Sequence, residues 1–492
     1  MINLKKENIR KVILAILFVL ILVVIALFIG RFTYSYLGPA PTDELTGTGE
    51  VTPSGDTIIF SKGNDLSLSA STDNFHTGSG NLTDTTNPQV RLIASSDTNN
   101  ASTTYFAGIR IYENTYSYST DNNTAELILS VYDENGTLLE ASSDTLSFVE
   151  VGGVKGFDIT GKTGAYNIAI DHPISTNSST SGTTHTWTFT LTFINLETDQ
   201  SINETANLEM EVVLQKDEIT IPTFADNCRD SGSNTLACHV ATTYTTDGEN
   251  ALYYHDADLA NGAQDNSYRY AGANPNNYVC FGSDAASCPS ANLYRIIGVF
   301  GNEVKLIKST SIGNYVWDSG NSNAWDPNSD TYPDIRTTLN STFLGTLSST
   351  WQNKIATHAY KVGGMSYSTT NTAKEYYNTE VGSSSSSTTD SMKIGLMYVS
   401  DYGFAASNSH WTTELYNYES ATSDNWLYLG STEWTISRNS VSSRGAFHVN
   451  STGAVNYTAV DGSLGVRPVF YLNSSINYVS GSGSSADPIR IS

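Results

Sequence analysis

Residues 12–30, VILAILFVLILVVIALFIG, form a hydrophobic run without an internal charge, preceded by Lys5, Lys6, Arg10 and Lys11 and followed by Arg31. A helix rises about 1.5 Å per residue and roughly 17 to 25 apolar residues cross a bilayer core, so this run is long enough to span once. The basic cluster holds the N-terminal side in the cytoplasm. The run therefore predicts a single-pass protein of the cell membrane, attached through residues 12–30, with the bulk of the chain extracellular. A cleavable signal peptide is the competing reading, but its apolar region is about 7 to 15 residues long and ends in a small-x-small site. Here the run is longer, and Ala40 in the segment after it is followed by Pro41. Both readings export the body of the chain.

A chain of 492 residues leads us to expect about three folding units of ~150 residues, and two are visible. The formal net charge is −24, and because residues 1–31 carry +4, the remainder carries −28. A field of that sign repels phosphate backbones and anionic lipid heads, so nucleic acid is not expected as a partner. The four cysteines, Cys228, Cys238, Cys280 and Cys288, all lie beyond the run, in two close pairs. Three disulfide connectivities exist in principle. Short loops close at low entropic cost, which favours Cys228 with Cys238 and Cys280 with Cys288 in an oxidising exterior. Zinc is the alternative for these thiols, but they show no C-x-x-C spacing and no well-placed His accompanies them; neither a metal nor a cofactor is expected.

Segment by segment, 1–33 reads as cytoplasmic tail and transmembrane signal anchor, and the Pro- and Gly-containing 34–54 as a stalk. Between 55 and 215, some ten runs of strand character, among them QVRLIAS, YFAGIRIYE, AELILSVYD and NLEMEVVLQ, alternate with turn clusters. That pattern predicts an all-β sandwich acting as a spacer. Trp187, Phe189, Leu191 and Phe193 are expected inside, with Thr186, Thr188, Thr190 and Thr192 on the opposite face. Residues 216–227 read as a linker. From 228 to 492 the character changes: this part holds six of the seven Trp. Its order is a hairpin turning at Gly301 and Asn302, then helical spacing in Ile335, Leu339, Phe343 and Leu344 and again in Leu347, Trp351 and Ile355, then strands. This predicts a disulfide-containing α+β domain.

At Trp426, Leu427, Trp434, Arg438, Gly465, Val466, Arg467 and Pro468, within NWLYLGSTEWTISRNS and GVRPVFYL, the chain resembles C-terminal domains of membrane-anchored surface proteins of Gram-positive-type bacteria. Those domains look like the C-type lectin fold shared with formylglycine-generating enzymes. The resemblance, over roughly 277–473, implies a fold class of a single transmembrane helix, then an all-β sandwich, then an α+β C-type-lectin-like domain. The copper-binding Cys pair of those enzymes has no counterpart here, so oxidase activity is not implied. The calcium-lectin sugar signature is absent as well.

No G-x-S-x-G elbow advertises a nucleophilic Ser, and His358, His410 and His448 stand at no spacing that pairs them with a partner. Asp401 with Glu414, or Glu375 with Glu380, could serve as glycosidase carboxylates only at a defined separation. Asp326, Asn328, Asp330 and Asp334 begin like a calcium loop, but Thr337 stands where the twelfth-position acid belongs, which favours an ordinary Asx turn. No catalytic residue is expected. The segment 401–426 instead concentrates Tyr402, Phe404, His410, Trp411 and Tyr416, in the region where lectin-like folds carry a long ligand loop; these are the expected ligand-binding residues, Trp411 first. The Ser-rich 382–390 reads as a flexible tip. The resulting expectation is a noncatalytic cell-surface display protein binding a glycan or a surface protein. A structural subunit of a surface layer or fibre, and an exported glycan or cell-wall hydrolase, stand as alternatives.

Overall fold

The computed structural model describes residues 55–68, 72–78, 80–141, 146–244, 250–382 and 388–492. The anchor expected at 12–30, the stalk at 34–54 and most of the Ser-rich tip lie outside the described residues. No helix among the described residues is long and apolar enough to cross a membrane. The chain divides between Ile221 and Pro222 into two compact units.

The first unit is built from three antiparallel sheets. Thr57–Ser61, Gln89–Ile93 and Thr183–Thr186 make one, with Gln89–Ile93 in the centre. A second has five strands in the order Leu82–Thr86, Thr188–Phe193, Leu127–Tyr132, Val154–Asp158, Phe148–Val151. In the third, the 14-residue strand Ala101–Asn114 lies between Leu208–Gln215 and Gly164–Thr176. Period-two alternation decides which side chains go inside: Trp187, Phe189, Leu191 and Phe193 are all buried, together with Tyr105, Ile109, Leu127 and Phe157. Thr192 departs from the pattern and is buried on the opposite face, where Ile128 and Ile194 form a small second cluster. Residues 216–221, expected as linker, are tied to this unit: Ile219 is buried, its N–H donates to Asn167 Oδ1 at 2.8 Å, and Arg110 Nε donates to the Thr220 carbonyl.

The second unit opens with the helix Phe224–Ser231. Thr223 caps it, exchanging hydrogen bonds with Asp226 in a capping box, and Gly232 ends it in the left-handed region. Leu252–Tyr254, Tyr268–Tyr270, Leu293–Phe300, Glu303–Lys308 and Val469–Leu472 run in order through one sheet, and Tyr278–Cys280 also pairs with Leu293–Phe300. Asn314–Val316, Ser463–Gly465, Glu433–Asn439, Gly445–Val449 and Val455–Ala459 run through another. The main core gathers Trp317, Trp325, Trp434, Tyr294, Phe281 and Phe470. Trp317 and Trp325 meet edge to face at 5.5 Å.

The expected fold class is corrected at two points. Both units are dominated by sheet, and no α-helix among the described residues exceeds eight residues. The α+β expectation for the second unit rests on two regular helices over 334–355. That segment is instead a chain of short pieces: an α turn at Asp334–Thr337, a π turn at Thr338–Phe343, a 3-10 turn at Leu344–Thr346 and an α turn at Ser349–Gln352. The apolar spacing is genuine, with Ile335, Leu339, Phe343 and Trp351 all buried. The intervening Thr, Ser and Asn residues, however, compete for backbone carbonyls: Thr346 Oγ1 donates to the Phe343 carbonyl at 2.7 Å and Asn340 Nδ2 to that of Arg336 at 3.2 Å. Among the strands expected after this segment, the stretch 393–402 makes only an isolated bridge at Gly395 before the helix Val399–Phe404 begins, and 425–430 forms a bridge and turns.

Candidate functional site

The residues expected to contact a ligand are mostly core. Tyr402 and Phe404 lie on the helix Val399–Phe404 and are fully buried, and the Tyr402 hydroxyl donates to the Gly453 carbonyl at 2.9 Å. Trp411, expected as the leading contact, is 1% exposed. Its Nε1 donates to the Ala406 carbonyl at 3.0 Å, and its ring packs against Tyr253, His255 and Phe404 at 5.0 to 5.6 Å. His410 is half-buried, with Nε2 3.2 Å from Asp424 Oδ2, and Tyr416 is exposed. The expectation of a displayed loop rests on the segment's concentration of large rings in the region where lectin-like folds carry a ligand loop. Their size is also what drives them inward once 3-10 turns at Asn408–His410 and Leu415–Asp424 fold them over the sheet.

Behind this segment lies a buried ionic cluster. Asp401 Oδ2 is 2.6 Å from Lys305 Nζ and accepts the Tyr398 N–H at 2.9 Å, while Oδ1 is 3.4 Å from Arg269 Nη1. Arg269 also holds Asp265 at 2.6 Å. Burial alone would raise the Asp265 carboxyl, but Arg269 and Ser267 hold it down at about 2. Burial lowers the Lys305 ammonium despite Asp401. Glu380, fully buried, accepts the N–H groups of Val399 and Ser400 and the Ser437 hydroxyl. The adjoining cavity measures only about 190 Å³. Here each carboxylate is matched by cations or donors, an arrangement that fixes chain geometry and leaves little room for a substrate.

The remaining candidates are dispersed. Glu375 closes a capping box with Thr372. His358 stacks on Tyr471 and pairs with Glu303 at 2.8 Å. His448 is buried, and burial pushes its imidazole down to about 4. Asp326 accepts from Asn328 N and Ser329 Oγ as an Asx turn does, whereas Asp334 accepts from Ser319. The acids of WDPNSDTYPD thus serve separate turns.

The second unit carries a larger accessible feature, a cleft of about 650 Å³. One wall is the loop closed by Cys280–Cys288, which contributes Gly282, Ser283 and Asp284; the pairing is the expected one, as is Cys228–Cys238. Gly282 sits at φ +90°, and a Cβ there would lie 2.7 Å from Asn292 Nδ2, so both the conformation and the space call for glycine. The opposite wall is the broken helical run, with Thr338 and Thr342 offering hydroxyls, and Thr346 only an acceptor oxygen, beside Phe343, Leu347 and Trp351. Tyr294 and Lys308, directly opposed on neighbouring strands, form the floor, with Tyr315 beside them. Lys308 Nζ donates to the Ala291 carbonyl and lies 5.0 Å from the Tyr294 ring centre; burial lowers its ammonium. Sequence reasoning missed this cleft because its walls are about 60 residues apart in the chain. The available signals were the Cys280–Cys288 bracket and the row of hydroxyls interleaved with the apolar helical spacing.

Comparison with known protein families, with curated proteins and with solved structures found no match to this chain.

Proposed function

We propose that the chain is an exported, noncatalytic display protein whose second unit binds a ligand in the cleft between the Cys280–Cys288 loop and the Thr338–Trp351 run, and that the ligand is an uncharged glycan. The observation that carries this reading is the composition of the cleft. The half-buried ring of Tyr315 stands beside hydroxyls at Thr338 and Thr342, over a base of the buried Tyr294 and Trp351, and Lys308 is already engaged by a carbonyl. Rings cover the apolar faces of a sugar and hydroxyls exchange hydrogen bonds with its rim, a pairing suited to a neutral, polar ligand. The volume lies within the ~300–1,000 Å³ range of small-ligand sites. Two disulfides support an oxidising location outside the cell. A wall fixed by a disulfide also loses less conformational freedom on binding than an open loop would.

The test is a glycan array probed with the purified chain beside Thr342→Arg, which places a long side chain at an exposed position on the cleft wall. A specific signal lost in Thr342→Arg and retained in Tyr416→Ala supports the cleft. A signal lost in Tyr416→Ala and retained in Thr342→Arg moves the site to the 401–426 segment, and silence on every glycan rejects the saccharide ligand.

A further inference from the structure

We propose that Glu134, His172 and His185 of the first unit form a binding site for one divalent transition ion of the zinc class. Their donor atoms lie within 4.8 Å of one another. His172 Nε2 is 2.8 Å from Glu134 Oε2, and His185 Nδ1 is 3.8 Å from the same oxygen. An ion held tetrahedrally at about 2.0–2.2 Å from each donor sets neighbouring donors about 3.3 Å apart. The two distances to Glu134 bracket that value, and with all three donors within 4.8 Å of one another, side-chain shifts without backbone movement bring them onto one ion. The His172–Glu134 hydrogen bond places a proton on Nε2, and the incoming ion takes that proton's position.

The three side chains come from separate parts of the chain and are held by what lies beneath them. Glu134 sits in the turn 133–136, where Asp133 Oδ1 accepts the N–H groups of Asn135 and Thr137. His172 lies opposite Tyr105 in the pairing of Gly164–Thr176 with Ala101–Asn114, just after Asp171 at φ +48°. His185 stands on the Thr183–Thr186 strand. The fully buried Tyr105 and Trp187 pack beneath both rings: Trp187 Nε1 donates to the Tyr105 oxygen at 2.8 Å, Trp187 packs edge-on against His172 at 4.9 Å, and the Tyr105 hydroxyl, 2.9 Å from His185 Nδ1, must turn its proton away when an ion takes that nitrogen's lone pair. The donors themselves are 12% to 20% exposed, open enough for an ion to enter. A Glu–His ion pair uses one imidazole; it gives no reason for a second to face the same carboxylate. Two imidazoles and one carboxylate are a donor set for zinc-class ions, whereas calcium and magnesium take oxygen. Three protein donors leave a fourth position for water or an incoming group.

The test titrates the full chain, free of any histidine tag and stripped with chelator, with Zn²⁺ by calorimetry and with Co²⁺ by visible absorption, in the presence of excess Ca²⁺ to occupy surface carboxylates. The expected result is one equivalent of Zn²⁺ and an intense tetrahedral-type Co²⁺ spectrum. Glu134→Gln and His172→Ala should each weaken Zn²⁺ binding about tenfold or more. Glu134 is on a turn, so its variant keeps the metal-free thermal profile of the parent and separates lost ligation from lost folding. Identical isotherms in the parent and both variants, or no tightly bound equivalent in the parent, overturn the proposal.

Discussion

The two units differ in where they put charge. Among the described residues of the first, the most buried ion pair is Arg110 with Glu211, at 4% and 15% side-chain exposure, and the buried Glu126 is held by the neutral amides of Gln200 and Asn203. The second unit buries Asp401 with Lys305 and Arg269, and Glu433 with Arg467, every partner at 3% or less. The first unit is therefore specified by alternation, a pattern any apolar residue of similar size can serve. The second is specified by pairs, in which each member requires the other. An intact buried pair adds little net stability, because desolvation offsets attraction; a halved pair is severely costly.

The sharpest way to break that contrast is Glu433→Ala. Arg467 Nε and Nη2 each lie 2.6 Å from a Glu433 oxygen, and Nη2 also donates to the Leu427 carbonyl at 2.7 Å and faces Met397 Sδ at 3.9 Å, both uncharged. Removing the carboxylate leaves a guanidinium enclosed without a counter-charge, and the second unit should lose about 3–5 kcal/mol in denaturant unfolding followed by tryptophan fluorescence. The double variant Glu433→Gln with Arg467→Met should recover most of that loss. A single-variant loss below about 1 kcal/mol, within the range of an exposed pair, would remove the distinction between the units.

Acid should act on the second unit through the same burial of polar groups. His448 Nδ1 is enclosed without a partner and its imidazole is held at about 4; His255 is fully buried, and burial followed by Arg269 pushes it well below its ordinary value. The unfolded chain takes up these protons near pH 6.5 and the folded chain does not, so stability is present above pH 6.5 and is lost as pH falls from there toward 4. The full shift of His448 corresponds to about 3 kcal/mol, of which about 2 is gone by pH 5. Unfolding measured between pH 7 and 5 should show this slope in the parent and a slope smaller by one His in His448→Gln. Equal slopes would mean that His448 charges in the folded state.

The same contrast explains what could be read from the chain. Trp187, Phe189, Leu191 and Phe193 were legible because period-two burial leaves a mark on neighbouring residues, and the hairpin at Gly301 because its turn is local. Leu82–Thr86 was missed because LTDTT carries only one large apolar residue; it is a strand because Thr188–Phe193 pairs with it. In the second unit, Asp401 meets Lys305 across 96 residues and Glu433 meets Arg467 across 34, and no periodicity encodes such meetings. Trp411 shows the limit most clearly. An aromatic-rich segment between expected strands has the same composition whether its rings face a ligand or, as here, Tyr253 and Phe404. The two walls of the cleft were each visible as motifs, and only folding shows that they face each other.

The smallest expected effect sharpens the comparison from the other side. Glu150 and Lys155 face each other across the Phe148–Val151 and Val154–Asp158 strands, 3.4 Å apart, with side chains 58% and 48% exposed. The geometry is that of an ion pair, but water solvates both ends and each long side chain loses rotamer freedom in holding the contact. Glu150→Ala should change the first unit's stability by no more than about 0.5 kcal/mol, and by less at high salt, where the remaining attraction is screened. The lone Lys155 that results is simply hydrated, as the lone Arg467 of Glu433→Ala is not. Two substitutions of the same kind, each removing one carboxylate from one basic partner, should therefore differ by several kcal/mol, and denaturation of both variants in parallel measures how much of that difference is burial.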